Sequence, residues 1–340
     1  MNGINALVIG AGNIGAIQQQ ELRIIPGWEA GGVMTRGKLV RREQTTLLRS
    51  LREISDEEWR HFDIVFLSIP SGFSVTPEIS ALDYLLHFMR LGIPVVTCEK
   101  DAFSTCYEQL VGSLSKIGYS ACVGGGTRMI PILRDRMRVP GEMEIYAVLN
   151  GTLNYIFTEM ANNNRALGEA VHDAQRLGFA EPGVATPLGV LKAEMTDVKM
   201  KAAILFNTCI AKGKFVCAHD IHLKPVLERQ NGLLTSQAKE RRCFVSIVRE
   251  GTASFDQRDC IGGFEHRVEG WLIQGGFRLM ESCPAMGDHW PKGVSNALVV
   301  RQGKLGKDGT YLLASGPGAG AHATVASTIN DAFRLLHLPR

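Results

Sequence analysis

The sequence predicts an α/β protein in which a doubly wound parallel sheet is joined to a second, α+β domain. Short, apolar, β-prone runs alternate with helical segments through about the first 140 residues, a pattern typical of parallel strands linked by right-handed crossovers. Beyond that point a group of helices is followed by β-like runs separated by Gly and Asn turns. This change of pattern indicates an α+β domain.

The elements of the first domain begin with strand NALVIG, a glycine-rich turn and helix IGAIQQQELRII, which Pro26 ends. Further helical segments are predicted before Trp59, after Pro77 and from Phe103. The remaining strands are predicted in WEAGGVMT, DIVFLSIP, IPVVTCEK and YSACVGG.

The second domain begins with strand MEIYAVLNG. Helices are predicted in TLNYIFTEMANN, ALGEAVHDAQRLG and the stretch 181–207, and strands in CFVSIVRE, HRVEGWLI and SNALVVRQG. The tail from Thr310 predicts one more strand, a glycine-rich turn and a helix that could return to the first domain. We therefore assign residues 1–138 and 308–340 to the first domain and residues 139–307 to the second.

Composition limits the partners and the location. With 340 residues, 45% of them hydrophobic and 21% charged, the chain is long enough for two domains that each bury a core. A formal charge of +3 is too small to favour nucleic acid as a partner. The first basic residue is Arg23, and no apolar run reaches the ~18 residues of a membrane span. Eight cysteines are scattered without a C-x-x-C pair, so we expect a cytoplasmic protein with reduced thiols.

The stretch GAGNIG at positions 10 to 15 fits the pattern G-x-G-x-x-G and lies between the first strand and the first helix. In this pattern Gly10 permits a tight turn, Gly12 lets the backbone approach a pyrophosphate, and Gly15 allows close packing of the helix. The free N–H groups at the helix N-terminus bind the anion. The motif therefore predicts a Rossmann-type dinucleotide-binding domain.

The end of the second strand, GGVMTRGK, indicates which dinucleotide binds. A site for NAD has Asp or Glu there, about 20 residues beyond the glycines, to bind the ribose hydroxyls. Here Thr35, Arg36 and Lys38 supply a hydroxyl and two cations but no carboxylate, which favours the 2′-phosphate of NADP over NAD. The alternative is that Arg36 and Lys38 only form a solvated loop face.

Four stretches and the tail GPGAGAHATVAS resemble homoserine dehydrogenases. The stretches are VVTCEKDAFS (95–104), ACVGGGTRMIPIL (121–133), VLNGTLNYIFTEM (148–160) and LGFAEP with DVKMKAAIL (177–205). The resemblance implies an NAD(P)-dependent interconversion of L-aspartate 4-semialdehyde and L-homoserine, a step of threonine and methionine biosynthesis. It also implies a homodimer whose second domain binds substrate and oligomerises. Nothing in the chain resembles an aspartate kinase or an ACT domain, so we expect a short form.

The resemblance assigns roles to matching residues. Lys201 would pass a proton to and from the reacting oxygen, and Lys100, beside the nicotinamide and the substrate, would help that amine to release its proton. Asp197 would orient the lysine or the substrate oxygen. Thr152 would contact the substrate, and Glu181 would help to hold the substrate's amino group. The predicted cofactor contacts are Gly10, Gly12, Asn13, Ile14, Gly15, Thr35, Arg36, Lys38, Ser68 and Lys100.

The departures from the family concern the charge of the substrate pocket. In an ungapped count back from Asp197, Lys192 stands where the family has an Asp that binds the substrate's ammonium. A cation there would repel an ammonium and attract an anion, which makes Lys192 a predicted substrate contact, although Glu194 or a rearranged loop could compensate. Glu99 and Arg128 replace the family's Asn and Pro, and we interpret them as further changes of charge at the pocket rim.

Other interpretations stay open. Ser120 replaces a Glu that helps to bind sodium in some family members, which leaves the backbone carbonyls near Val123 and Gly125 as ligands for such an ion. Asp197 and Lys201 could be an exposed ion pair worth roughly 0.2 to 0.5 kcal/mol. The chain could also be a dehydrogenase of the same fold for a different small aldehyde or hydroxy acid, or a non-catalytic nucleotide-binding homologue.

Overall fold

The structure is a computed structural model that describes residues 3–35, 38–41, 44–48, 50–69, 79–136, 143–180, 183–251, 259–303, 310–318 and 320–338. The chain divides into two compact units. The first unit is Met1–Gly125 with Ala321–Arg340, and the second is Gly126–Gly320. Among the described residues, no helix combines the length and the apolar character needed to cross a bilayer.

The first unit is built on a seven-stranded sheet. Its strands are β1 (Ile4–Ile9), β2 (Trp28–Thr35), β3 (Lys38–Arg41), β4 (Gln44–Leu47), β5 (Ile64–Leu67), β6 (Val95–Thr97) and β7 (Ile117–Gly118). The order across the sheet is β4-β3-β2-β1-β5-β6-β7. The neighbouring pairs β2–β1, β1–β5, β5–β6 and β6–β7 are all parallel. This parallel core confirms the predicted fold class.

Two short antiparallel strands extend this sheet at one edge. β3 pairs with β2, and β4 pairs with β3. The sequence analysis did not predict them, because each has only four residues, and β4 (QTTL) is exposed at every position.

Helices cover the sheet of the first unit. They are α1 (Asn13–Ile24), α2 (Asp56–Trp59), α3 (Ala81–Leu91), α4 (Asp101–Thr105), α5 (Tyr107–Leu110) and α11 (Ala321–Leu335). Side chains of α1 and α11 join one core with those of β1, β2, β5 and β6, and the rings of Trp28 and Phe333 lie 5.4 Å apart. The C-terminal helix therefore belongs to the first compact unit.

The last strand of this sheet differs from the prediction. β7 contains only Ile117 and Gly118, whereas the sequence analysis placed a strand in YSACVGG. Residues Ser120–Cys122 instead form a 3-10 turn. The cause is the buried carboxylate of Asp331, which accepts hydrogen bonds from Ser120 N and Ser120 Oγ, both at 2.8 Å. These bonds use the Ser120 N–H that a longer strand would need for its ladder.

In the described residues of the second unit a seven-stranded antiparallel sheet packs with five α-helices, which confirms the predicted α+β domain. The strands are β8 (Met143–Val148), β9 (Leu223–Lys224), β10 (Arg241–Arg249), β11 (Ile261–Val268), β12 (Trp271–Leu279), β13 (Ser295–Gln302) and β14 (Thr310–Pro317), in the order β14-β13-β8-β10-β12-β11-β9. The helices are α6 (Met129–Arg136), α7 (Gly151–Asn163), α8 (Leu167–Arg176), α9 (Pro187–Cys209) and α10 (Asn231–Ser236).

Two features of the sequence fix the start of helix α9, an N-cap residue and a proline in the first turn. The hydroxyl of Thr186 accepts a hydrogen bond from Gly189 N at 3.1 Å, and Pro187 occupies the first turn, where its missing N–H costs nothing. The helix is 23 residues long, and its second half is buried on nearly every side. This burial fixes the orientation of the polar side chains along the helix.

The divisions between the compact units differ from the predicted domain boundaries at 138 and 308. The units divide after Gly125 and after Gly320. Helix α6 packs against α9, and β14 pairs along its whole length with β13. Both elements therefore belong to the second unit, although the sequence alone gives no signal of those partners.

Candidate functional site

The glycine turn after β1 has the geometry that a dinucleotide requires. Gly10 has a φ of +107°, and a Cβ there would overlap the carbonyl oxygen of Ser68. A Cβ on Gly15 would overlap the carbonyl oxygen of Gly10. A Cβ on Gly12 would meet no atom within 4 Å. Two glycines are therefore required by packing, while the third borders open space.

The space beside Gly12 lies at the N-terminus of α1. Asn13 and Ile14 form its first turn, no side chain caps it, and no acidic residue lies in that turn. These residues fit a pyrophosphate, because the uncapped N–H groups and the helix dipole favour an anion. The order strand, tight turn and helix predicted from the sequence is the one observed.

Ser68 lies directly after β5 and is 7% exposed. Its hydroxyl donates a hydrogen bond to Oε1 of Gln18 at 2.8 Å, and Gln18 in turn donates to Thr328 at 3.1 Å. The side chain of Ser68 is therefore committed to the link between β5, α1 and α11. The predicted cofactor contact of Ser68 stays a prediction.

Two of the residues predicted to select NADP, Thr35 and Lys38, lie at the facing ends of β2 and β3. Thr35 is the last residue of β2 and pairs with Lys38, the first residue of β3. Lys38 is exposed, so its cation can reach an anionic ligand in solvent. Arg36 lies outside the described residues.

Lys100 follows β6 and stands immediately before α4. Its half-buried position beyond the carboxyl end of a parallel strand is where ligands of doubly wound sheets bind. Lys100 belongs to the first unit and Lys201 to the second, so their predicted proximity stays a prediction.

Glu99 does not change the charge of a pocket rim as the sequence analysis supposed. It is 1% exposed, and its carboxylate accepts hydrogen bonds from the backbone N–H groups of Asp101 and Ala102 at the start of α4. Burial raises the pKa of Glu99 to about 7, against the opposing effect of those two donors. The side chain of Glu99 therefore binds free N–H groups at the start of α4, one position before the N-cap residue Lys100.

Lys201 is buried on α9 and held by two acceptors. Its Nζ lies 2.6 Å from Oδ2 of Asp197 and donates a hydrogen bond to the carbonyl oxygen of Leu149 at 2.9 Å. The side chains of Lys201 and Asp197 are 11% and 23% exposed. The pair is therefore not the exposed surface ion pair of the alternative interpretation, and charges this well shielded from water interact more strongly.

Asn150 connects this pair to a second carboxylate. The Nδ2 atom of Asn150 donates to Oδ2 of Asp197 at 3.0 Å and to Oε2 of Glu194 at 2.7 Å. Its Oδ1 accepts from Leu153 N at 2.8 Å and caps helix α7. Asn150 was not among the predicted site residues, although it lies in the stretch VLNGTLNYIFTEM that carries the family resemblance.

Thr152 supports the loop that leads toward residue 181. Its hydroxyl donates to the carbonyl oxygen of Phe179 at 2.7 Å, and the residue is 5% exposed. The hydroxyl thus orders the backbone that precedes Glu181, which itself lies outside the described residues. The predicted substrate contacts of Thr152 and Glu181 stay predictions.

Lys192 lies away from the network on α9. It is exposed, and the nine positions that separate it from Lys201 correspond to about 180° of helical rotation. Glu194, seven positions from Lys201, lies within about 20° of it. The helix therefore places Glu194, and not Lys192, beside the predicted catalytic pair of Asp197 and Lys201. This corrects the prediction that Lys192 contacts the substrate, which came from an ungapped count back from Asp197.

Arg128 adopts a left-handed backbone with φ of +51°. Proline, which the family has at this position, is locked near a φ of about −65°. After the glycines, the backbone of this chain therefore follows a path that proline could not adopt, and Arg128 also adds a positive charge.

The turn around Val123 and Gly125 was predicted as a site for a monovalent cation, and this stays a prediction. The hydroxyl and the N–H of Ser120 both donate to Asp331, and the carbonyl oxygen of Gly125 accepts from Ser327 Oγ at 2.8 Å. Gly125 O thus has one protein partner, and Ser120 offers no charge in place of the family's carboxylate. No group of three or more His, Cys, Asp or Glu in the described part of the chain could hold a metal ion.

A family model described as homoserine dehydrogenase matches residues 130–333. Among curated relatives, the homoserine dehydrogenase of Methanocaldococcus jannaschii is 29% identical over 168 residues, which are 48% of this chain and 47% of that protein. The chain spans about half the length of the first curated relatives it matches.

Solved structures share the fold over nearly the full chain. The homoserine dehydrogenase from Thermoplasma acidophilum has a TM-score of 0.67 at 17% identity and covers 99% of this chain and 100% of its own. A hyperthermophilic archaeal homoserine dehydrogenase in complex with NADPH has a TM-score of 0.64 at 18% identity, with 99% of both chains covered. Because the sequence identities are only 17% and 18%, these two comparisons show a shared fold alone.

Proposed function

Because the chain belongs to the homoserine dehydrogenase family, we propose that it is an NAD(P)-dependent oxidoreductase that interconverts L-aspartate 4-semialdehyde and L-homoserine. The observation that carries the proposal is the buried amine of Lys201, held by Asp197 and by the carbonyl of Leu149. An amine fixed in this way is suited to general acid–base catalysis at the reacting oxygen.

Lys201 transfers the proton. Its ammonium group has three N–H bonds, and among the described residues it makes two hydrogen bonds, to Asp197 and Leu149. The remaining N–H is directed to the substrate oxygen, to which Lys201 gives a proton during aldehyde reduction. In the reverse direction the neutral amine takes the proton of the hydroxyl. Asp197 holds the amine in place through the ion pair of 2.6 Å.

The first unit is proposed to bind the cofactor, which when bound supplies or accepts the hydride. The uncapped N-terminus of α1 and the open space at Gly12 support this assignment. One related enzyme has been solved with NADPH, and the absence of a carboxylate at the end of β2 favours NADP over NAD. Thr35, Arg36 and Lys38 are proposed as contacts of the 2′-phosphate, and Lys100 as a residue that contacts both cofactor and substrate.

The experiment follows NADPH absorbance at a fixed enzyme concentration, with L-aspartate 4-semialdehyde in one direction and L-homoserine with NADP in the other. We expect turnover of both. Lys201→Met should lower kcat by about 10²- to 10⁴-fold, the usual contribution of a positioned acid–base group. The single variant leaves the carboxylate of Asp197 without its lysine. The matched control is therefore the double variant Asp197→Asn with Lys201→Met, which removes both charges of the pair and should stay folded.

Different results would refute different parts of the proposal. Undiminished turnover by Lys201→Met would refute the proton-transfer role. Tight binding of NADPH without turnover of any hydroxy acid would favour the non-catalytic homologue. Equal losses of NADPH and NADH affinity in Arg36→Ala would contradict the preference for NADP. A homodimer in the cytoplasm is also part of the proposal, and light scattering of the purified protein tests the dimer.

A further inference from the structure

A cavity of about 500 Å³ lies in the second unit, where β10 begins and β12 ends. Arg242 of β10 lines it, and the segment 280–292, which follows β12, supplies the rest of its described wall. None of the described residues that line it belongs to the glycine turn or to the side chains around Lys201. Its volume falls within the range of small-molecule sites, about 300 to 1,000 Å³. The second unit therefore offers a further place for a ligand.

Arg242 is the buried charge of this cavity. The residue is 8% exposed, and its Nη1 atom donates hydrogen bonds to the carbonyl oxygens of Ala238 and Arg241 at 2.8 Å and 2.7 Å. Its Nε atom is buried without a partner in the described part of the chain. Burial lowers the pKa of Arg242, and no acidic neighbour opposes that effect. A buried cation without an anion is costly, so this guanidinium gains from an anionic ligand.

The other charges of the cavity lie at its exposed rim. Lys292 supplies a second cation there, and Glu281 and Asp288 supply two carboxylates. All three side chains are exposed, so water screens their charges. The charge of Arg242 is screened far less, because the residue is buried. The cavity is therefore positive where it is buried and mixed in charge at its rim.

The part of the wall formed by residues 290–292 is held in place by the rest of the unit. The rings of Trp290 and Phe244 make an edge contact with their centroids 5.4 Å apart. The Nδ2 atom of Asn154, on α7, donates to the carbonyl oxygens of Pro291 and Gly293 at 3.1 Å and 3.0 Å. Groups that are fixed before a ligand arrives lose little entropy when it binds. The cavity thus has the preformed wall that is typical of a binding site.

We propose that this cavity binds a small oxyanion, the phosphate or carboxylate group of a small molecule, on the guanidinium of Arg242. A guanidinium suits this role because its planar set of donors matches the oxygens of either group. Lys292 adds a weaker attraction from the rim, and the ring of Trp290 packs on the remainder of the ligand. The site takes no part in the proposed hydride transfer, so its test is independent of the proposed function.

The test is isothermal titration calorimetry of the purified protein with inorganic phosphate and with benzoate, in a chloride buffer that contains saturating NADPH. The cofactor occupies the N-terminus of α1, the other proposed anion site, and removes it from the titration. We expect at least one of the two anions to bind with a Kd of roughly 1 mM or below. Tighter binding of phosphate would assign phosphate ligands to the cavity, and tighter binding of benzoate would assign aromatic carboxylates.

Three variants locate the bound anion. Arg242→Met keeps the length of the side chain but removes its charge, and it should raise Kd at least about 10-fold, because hydrogen bonds to a charged group are lost. Lys292→Gln changes an exposed residue and should raise Kd about 2- to 5-fold with the fold intact. Lys212→Gln removes an exposed charge of the same unit that does not line the cavity, and it should leave Kd unchanged.

Three results would overturn the proposal. The first is a wild type that binds neither anion at about 10 mM, and the second is a folded Arg242→Met with the wild-type Kd. The third is anion binding that occurs only without NADPH, which would place the anion at α1. If Arg242→Met does not fold, Lys292→Gln decides together with a change of tryptophan fluorescence on benzoate binding, which Trp290→Phe should abolish. Wild-type values in both of these variants would equally overturn the proposal.

Discussion

Gly10 and Gly12 lie two residues apart in one turn, yet an added methyl group should have opposite consequences at the two positions. At Gly12 the backbone angles are φ −73° and ψ −171°, which any residue adopts, and a Cβ would meet no protein atom within 4 Å. At Gly10 the φ is +107°, and a Cβ would overlap the Ser68 carbonyl oxygen. The first change should affect the cofactor and the second the fold.

The magnitudes follow from these positions. Gly12→Ala should cost stability at most about 1 kcal/mol, the difference between Gly and Ala at a helix N-cap. Its methyl group would enter the space assigned to the pyrophosphate, and an overlap of about 1 to 3 kcal/mol corresponds to a roughly 5- to 150-fold higher Kd for NADPH. Gly10→Ala combines backbone strain with overlap, together roughly 2 to 6 kcal/mol.

The assay is a fluorescence titration with NADPH, accompanied by thermal unfolding followed by circular dichroism. Gly12→Ala should melt near the wild-type temperature and bind NADPH weakly, while Gly10→Ala should melt much earlier or fail to fold. NADPH binding by Gly12→Ala with the wild-type Kd would refute the placement of the pyrophosphate. Wild-type stability of Gly10→Ala would refute the turn geometry.

Further predictions concern buried polar groups. Burial raises the pKa of Glu99 from 4.5 to about 7, so the folded protein keeps a proton that the unfolded chain loses. Stability should therefore fall by up to about 3 kcal/mol as the pH rises from 4.5 through 7. Urea unfolding at pH 5 and pH 8 should show this loss in the wild type but not in Glu99→Gln, and an unchanged pH dependence in the variant would contradict the assignment. Asp331→Asn should lower the free energy of unfolding by about 2 to 3 kcal/mol, because two donors of Ser120 lose a charged acceptor. Ser120→Ala, which keeps the N–H bond, should cost less, and equal costs would show that the hydroxyl carries the whole contact. Thr152→Val should raise KM for homoserine and cost about 1 to 2 kcal/mol of stability, because the Phe179 carbonyl loses its donor; an unchanged KM would remove Thr152 from the support of the substrate loop.

Local patterns accounted for what the sequence predicted well. The strand, glycine turn and helix at the start of the chain are set by apolar runs and backbone freedom, which neighbouring residues in the sequence determine. Helix α9 was predicted for the same reason, and the spacing of Asp197 and Lys201 sufficed to place them on one face.

Contacts between distant segments could not be predicted in this way. The sequence alone places a carboxylate at Glu99, but only the fold shows that its oxygens face the first N–H groups of α4. The ungapped count back from Asp197 selected Lys192 as a substrate contact. Such a count does not take into account which side of the helix each residue occupies. The hydrogen bond from Asn150 to Glu194 joins residues 44 positions apart, which no short motif specifies.

The position of Asn150 also bears on the chemical ageing of this protein. Asn150 is followed by Gly151, the dipeptide that loses its side-chain amide most readily when the backbone is free to close a succinimide ring. Here its Oδ1 and Nδ2 atoms are hydrogen-bonded, the residue is 5% exposed, and α7 begins immediately after it. Folding therefore protects the amide. A molecule that unfolds for long enough to deamidate would refold with an acid in place of the donor between Glu194 and Asp197, so the damage should accumulate in proportion to time spent unfolded.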